Sequence, residues 1–295
     1  MSKNYKEMLN NFARGGEFDR DVNAHNYDNM WIIDSNYQYV PSSFFHIAYK
    51  CVIKGIIKIL GPLVLKVGYN FKVIGKQNLK NVDSGITISN HVLVLDSLMN
   101  MEIMKKKNFY VIGSNYSFKH DFTGRTLRAG GYLPLSDSFV GMKNLSQTVS
   151  KLTKSQGFVH IYPEQALWPR YERSRPLKTG AFHFAAINNV PVIPIIILFR
   201  QPNFLEKLLL VDKPVTAQIC KPIYPNNVLT TKERLVDLQT RVQQVYDKSI
   251  CDFYGYNYET YSYSKEPEKI TYYPQFFSGL EEEKVYEENA ELKHC

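Results

Sequence analysis

From residue 70 to residue 254 the chain alternates short apolar runs with amphipathic stretches. The runs NFKVIG (70–75), GITIS (85–89), NFYVIG (108–113), GYLPLSDS (131–138), GFVHIYPEQ (157–165), PVIPIIILF (191–199) and TAQICKPIY (216–224) predict strands. Between them VLVLDSLMNMEIMKK (92–106), VGMKNLSQTVSKLTKSQG (140–157, with a glycine stop) and KTGAFHFAAINN (178–189) predict helices. Residues 75–85 read as a loop, and SFKHDFTGRTLRAGG (117–131) as a short helix or loop. TTKERLVDLQTRVQQVYDKSICDFY (230–254) predicts a long amphipathic helix with Thr230 or Thr231 as its N-cap. This alternation predicts an α/β fold: a mixed, mainly parallel central sheet flanked by helices, with 191–199 as a central strand.

Ahead of that block, FFHIAYKCVIKGIIKILGPLVLKVGY (44–69) has a different pattern. Lys50, Lys54 and Lys58 recur every four residues and share a narrow arc, while Val52, Ile53, Ile56, Ile57, Ile59, Leu60, Leu63 and Val64 fill the rest. Its lysines argue against a spanning helix. Two readings stand: a helix that covers the core and shows its lysines to water, or an interfacial helix with its apolar face in lipid and its lysines toward anionic headgroups. Gly61–Pro62 is expected to kink or end it. Residues 1–43 are mixed and polar, with an aromatic-apolar knot from Tyr27 to Tyr37, and read as an ordered lead-in packed on the main domain. The division expected is 1–69 for the lead-in and amphipathic helix, 70–254 for the main domain, and 255–295 for a Tyr-rich, then acidic, frayed or helical tail.

Charge adds a direction. Of 36 Lys+Arg and 28 Asp+Glu, four Lys and nine Glu lie in 259–295, which leaves 32 against 19 before them. A basic body suits an anionic partner: a phosphorylated lipid, coenzyme A, an acidic carrier protein or nucleic acid. No known module of basic residues interleaved with aromatics is present, which argues against nucleic acid. Cys51, Cys220, Cys251 and Cys295 form no CxxC pair and read as reduced, mostly buried thiols, and no cluster has zinc-ligand spacing. The N-terminal stretch lacks the apolar core of a secretory signal.

The chemistry converges on SNHVLVLDSLMN (89–100). On a regular helix His91 and Asp96 would be about 140° from facing. They meet only if His91 stands in the turn that enters the helix, where Asp96 can accept from one imidazole nitrogen and leave the other as a base. The plain alternative is a histidine near a helix start and an aspartate on its polar side. His120 beside Asp121 is the rival pair, but adjacent side chains point apart. His160 and His183 sit in apolar patterns and read as packed. No GxSxG turn supports a serine nucleophile.

The ordered set of NH-x4-D, then PE after a strand (163–164), then VPVIP entering another (190–194) resembles the glycerolipid acyltransferase family over roughly residues 70–220. That resemblance implies transfer of a fatty acyl group from a thioester, acyl-CoA or acyl carrier protein, to the hydroxyl of a lysophospholipid. The acceptor implied is 1-acylglycerol-3-phosphate, with another lysolipid or a glycolipid as alternatives, or a non-catalytic lipid-binding protein of the same fold. His91 would be the general base and Asp96 its orienting partner, with backbone donors at the following helix start as an oxyanion site. Glu164 would help hold the acceptor headgroup. The family's Gly-Thr-Arg after the glutamate is here Gln165, Ala166 and Leu167, and Asp137 stands where an acceptor-binding arginine is usual. Arg170, Arg173, Arg175 and Lys178 are then candidates for the phosphate, or a solvated basic loop, with Arg125, Arg128 and Lys143 as further cations. No metal or cofactor beyond the thioester co-substrate is implied. The expected location is cytoplasmic, peripheral on the inner face of the cell membrane.

Overall fold

The computed structural model describes residues 3–22, 28–208 and 214–269. Seven strands form one sheet: β1 (Lys72–Ile74), β2 (Gly85–Ser89), β3 (Asn108–Gly113), β4 (Tyr132–Pro134), β5 (Gly157–Ile161), β6 (Val192–Phe199) and β7 (Val215–Ile219). Their order is β1-β7-β6-β2-β5-β3-β4, and every pairing is parallel except β6 with β7. β2 is the middle strand, β6 lies beside it, and every residue of both is buried. Covered faces explain why these runs read as continuous apolar segments rather than alternating ones.

The helices are α1 (Lys3–Arg14), α2 (Phe44–Tyr69), α3 (Asp96–Ile103), α4 (Phe122–Gly130), α5 (Phe139–Lys154), α6 (Gly180–Asn188), α7 (Phe204–Leu208) and α8 (Thr231–Tyr254). α8 starts in a capping box, with Thr230 and Glu233 satisfying each other's backbone amides, and ends at Gly255 in the left-handed region. Leu238, Val242, Tyr246 and Ile250 of α8 are buried with Phe182 and Ala185 of α6 and Ile196 of β6. On the opposite side Leu9 and Ala13 of α1 join Leu65, Val92, Trp168 and Ile195. The lead-in thus packs on the sheet domain.

Two expectations change. α2 is continuous across Pro62. The lost backbone donor and the ring's clash are tolerated because α2 is held on both sides of Pro62, at buried Ile53 and at buried Leu65. At Gly61 the helix comes so close to α3 that an added Cβ would sit 3.2 Å from Leu98 Cδ1. The second change is the direction of the faces. Lys50 and Lys54 turn inward, their ammonium groups 5.6 and 5.5 Å from the Tyr110 ring centre. Phe45 (84% exposed), Val52, Ile56, Ile59 (75%) and Leu63 point away from the protein. For Lys50 and Lys54 the reading in which α2 shows its lysines to water fails, while Lys58 is exposed; the outward apolar side chains fit an interfacial helix or a covered surface. The acidic end of the tail lies outside the described residues, but residues 255–269 fold back, with Tyr261 against the core and Tyr256 buried in it.

Candidate active site

α3 starts four residues later than the apolar pattern predicts, at Asp96. Its carboxylate is the reason. Asp96 Oδ2 accepts from the amides of Val92 (3.1 Å) and Leu93 (3.4 Å), which closes residues 92–95 into a turn before the helix begins. The same oxygen is 2.7 Å from His91 Nδ1. Because the carboxylate can only accept, Nδ1 carries the proton and Nε2 presents its lone pair. The His91 side chain is 22% exposed and Asp96 is fully buried. Among the described residues Nε2 has no hydrogen-bond partner.

The turn is anchored from all sides. Asn90 donates to the Ile197 carbonyl (2.8 Å) and accepts from the Ile197 amide (2.7 Å), clamping the end of β2 to β6. The His91 amide donates to Glu164 Oε2 (3.0 Å), and the His91 carbonyl accepts from the Trp168 amide (2.9 Å) and from Arg175 (3.3 Å). Tyr162 stacks on the imidazole with ring centres 4.1 Å apart and planes at 21°. Beneath it His160 is fully buried, bonded through Nδ1 with Thr87 (3.0 Å) and through Nε2 with Ser89 (3.2 Å) and Asn100 (3.1 Å). The parallel register, Thr87 opposite His160, builds this network from two neighbouring strands.

Burial first, then the nearby His91, pushes the His160 imidazole down to about 3. It is therefore neutral in the folded protein and takes a proton near 6.5 when unfolded. The folded pKa is depressed, so this contribution to stability is full above about 6.5 and is lost as pH falls toward about 3. The expected loss is roughly 1.4 kcal/mol per pH unit within that window. Urea unfolding at pH 7, 5 and 4 checks it: the slope should flatten in His160→Gln, and equal slopes in the two proteins would contradict it.

Of the phosphate candidates, Glu164, Arg175 and Arg170 meet the backbone of the His91 turn, while Arg173, Lys178 and Arg128 are engaged elsewhere. Glu164 is buried; besides the His91 amide it accepts from the Tyr246 hydroxyl (2.6 Å) and pairs with Arg175. Arg175 is buried too, donates to the carbonyls of Phe18 (3.1 Å) and Ala166 (2.9 Å), and lies over the Trp168 ring. Arg173 is buried, bonded to the carbonyls of Tyr263 and Lys265 and ion-paired with Glu266 (3.6 Å). These two guanidiniums and Glu164 are paired within the protein, as charges this deep require. Lys178 pairs with Asp19 (2.8 Å). Arg128 stacks on Trp31 and Tyr37, 4.6 and 4.9 Å from their ring centres, and donates to the Gln38 carbonyl. Arg170 remains half-buried beside the site, its amide on the Val92 carbonyl (2.8 Å).

Gln165, at the family's glycine position, adopts φ 69°, the left-handed turn that glycine favours. Two of the backbone donors expected for an oxyanion, Val92 and Leu93, are held by Asp96. The rival Asp121 caps α4 through the Gly124 amide, and His120 lies against Trp31. His183 is exposed rather than packed. So is Cys51, while Cys220 and Cys251 are buried. Sequence reasoning missed Tyr162 and Tyr246. For Tyr162 a signal existed, since it follows β5 directly, two residues after His160, where the strand's period of two carries on to the same face. Among the described residues no group of three His, Cys, Asp or Glu is placed to hold a metal.

Residues 70–198 match the family model Acyltransferase. Among curated proteins no sequence matches. Of solved structures, the chain is similar to the 1-acyl-sn-glycerophosphate (LPA) acyltransferase PlsC of Thermotoga maritima, at TM-score 0.51 and 16% identity, covering 83% of this chain and 92% of that one. At that identity the likeness speaks for the fold.

Proposed function

We propose that this chain, whose residues 70–198 match the family model Acyltransferase, is a glycerolipid acyltransferase that moves a fatty acyl group from a thioester, acyl-CoA or acyl carrier protein, to a lysophospholipid hydroxyl. The observation that carries the reading is the His91–Asp96 bond of 2.7 Å, with Nε2 of His91 turned outward. Nε2 takes the acceptor's hydroxyl proton as its oxygen attacks the thioester carbonyl. Asp96 orients the ring and stabilises the imidazolium. As the carbon–sulfur bond breaks, the imidazolium returns the proton to the leaving thiolate. The acceptor brings the nucleophile, so no acyl-enzyme is needed.

The acceptor we favour is 1-acylglycerol-3-phosphate. Arg170 meets the His91 turn through its backbone amide, which donates to the Val92 carbonyl. Arg170→Ala should raise the acceptor KM about tenfold or more and leave the donor KM nearly unchanged, the sign of lost binding common to ground and transition states. Thiol release from one acyl donor, measured with lysophosphatidic acid, lysophosphatidylcholine and a glycolipid acceptor, tests the function. No release with any acceptor would sink it. The engaged state of Arg173 and Arg175 and the acid at Asp137 favour a second reading, an acceptor without a phosphomonoester; an unchanged acceptor KM in Arg170→Ala would select it.

Among the described residues no helix is long and apolar enough to cross a membrane. We propose peripheral attachment at the cytoplasmic face through the outward apolar side of α2, with Val94 (77% exposed) at the lip of the His91 turn as a second apolar contact. Ile56, Ile59 and Leu63 changed together to Ser should release the protein from phospholipid vesicles without lowering its melting temperature, because these side chains are already in solvent. Unchanged flotation with vesicles would contradict this.

A further inference from the structure

The inward face of α2 has a use of its own. Lys50, Lys54 and Lys58 line a cavity of about 660 Å³ whose other wall includes Val40, Pro41 and Ser42. Lys50 and Lys54 crowd one ring, that of Tyr110. None of the three lysines has a carboxylate within 4.0 Å among the described residues. The charge around them is of the same sign. Burial, then Lys50, pushes the Lys54 amine down. His46, one turn away, is pushed down by burial, then by Arg128 and by Lys50. Converging like charges against an apolar wall, with no internal counter-ion, fit an anion brought from outside.

We propose that this cavity binds an anionic phospholipid, its phosphate held by Lys50, Lys54 and Lys58 and its glycerol and upper acyl chain along Val40, Pro41 and Ile47. Ammonium groups on flexible stems suit a phosphate as a point charge. The lining offers one hydroxyl, Ser42, and no aromatic face for a base, which disfavours a nucleotide. The outer face of the same helix is apolar, so a lipid arrives from the surface that face would occupy; in this respect the inference rests on the lipid-facing reading of α2. It is separate from the acyl-transfer site. Lys50 and Lys54 lie in the N-terminal half of α2 and Lys58 just past its middle, about two turns before Leu65, on which the His91 turn packs, and no residue of that turn lines the cavity.

Cys51 lines the cavity and is exposed, while Cys220 and Cys251 are buried. In a Cys295→Ser protein its alkylation by iodoacetamide reports occupancy, since a bound anion both shields the thiol and disfavours its thiolate. Dihexanoyl phosphatidic acid, kept below its micelle concentration, should slow the reaction at least fivefold at saturation. Dihexanoyl phosphatidylcholine, inorganic phosphate and desulfo-coenzyme A should not. The slowing should persist in His91→Ala, persist with Lys50, Lys54 and Lys58 all changed to Arg, and vanish with all three changed to Gln. No slowing by phosphatidic acid, equal slowing by desulfo-coenzyme A, or slowing that survives the Gln variant would each overturn the proposal. If the Gln variant does not fold, the ligand series on the Cys295→Ser protein decides alone. Monomeric lipid keeps the outcome distinct from vesicle binding, so failure here leaves the membrane reading to its own test.

Discussion

His91→Ala is expected to yield a folded protein that transfers acyl groups at least a hundredfold more slowly. Positioned general bases contribute roughly 10²–10⁴ in rate, and here the base also returns its proton to the leaving thiolate. The fold should survive because the backbone of residue 91, rather than its ring, carries the contacts to Glu164, Trp168 and Arg175. Asp96→Asn tests a different point. Its amide can still accept from Nδ1 through its oxygen, but the negative charge that stabilises the imidazolium is gone. The expected loss in kcat is tenfold or more at an unchanged donor KM. Thiol release at saturating donor, with melting temperatures for each variant, measures both. A folded His91→Ala protein with near-wild-type turnover would refute the mechanism.

How much of this arrangement could be read in the chain depends on which forces are local. GITIS and NFYVIG run as strands to the residue, because each is an apolar run bounded by polar or glycine residues. Thr230 caps α8 as its side chain requires. The α3 start was not legible: VLVL continues the apolar pattern, and only the carboxylate of Asp96, folded back onto two amides, shows that these residues form a turn. The lysines of α2 teach the complementary lesson. Periodicity says that Lys50, Lys54 and Lys58 share a side of the helix, but which side meets the protein is decided by the partners, here Tyr110 and Leu98. A basic loop at 170–178 likewise reveals charge and not depth. The acids and carbonyls that hold Arg173 and Arg175 come from residues as distant as Phe18 and Lys265.

Arg175→Met should destabilise the protein by about 3–5 kcal/mol, the range for breaking a buried ion pair from one side. Both partners are buried, so the variant leaves the Glu164 carboxylate in the interior with the Tyr246 hydroxyl and the His91 amide as its partners among the described residues. It also frees the carbonyls of Phe18, His91 and Ala166 from the one guanidinium that ties the lead-in, the base-bearing turn and the loop after β5 together. Activity should fall with stability, since the His91 turn loses a clamp on its carbonyl. The family's expected arginine, three residues after the glutamate, is Leu167 here; Arg175, eleven residues after Glu164, pairs with its carboxylate. Glu164→Gln combined with Arg175→Met removes both charges and keeps an oxygen to accept from the His91 amide. That double variant should regain a large part of the lost stability, because the cost of the single change is chiefly the stranded carboxylate. Urea unfolding of the two single variants and the double, at pH 7, measures the coupling. A double variant no more stable than Arg175→Met would show that the guanidinium acts through its carbonyl contacts rather than through Glu164.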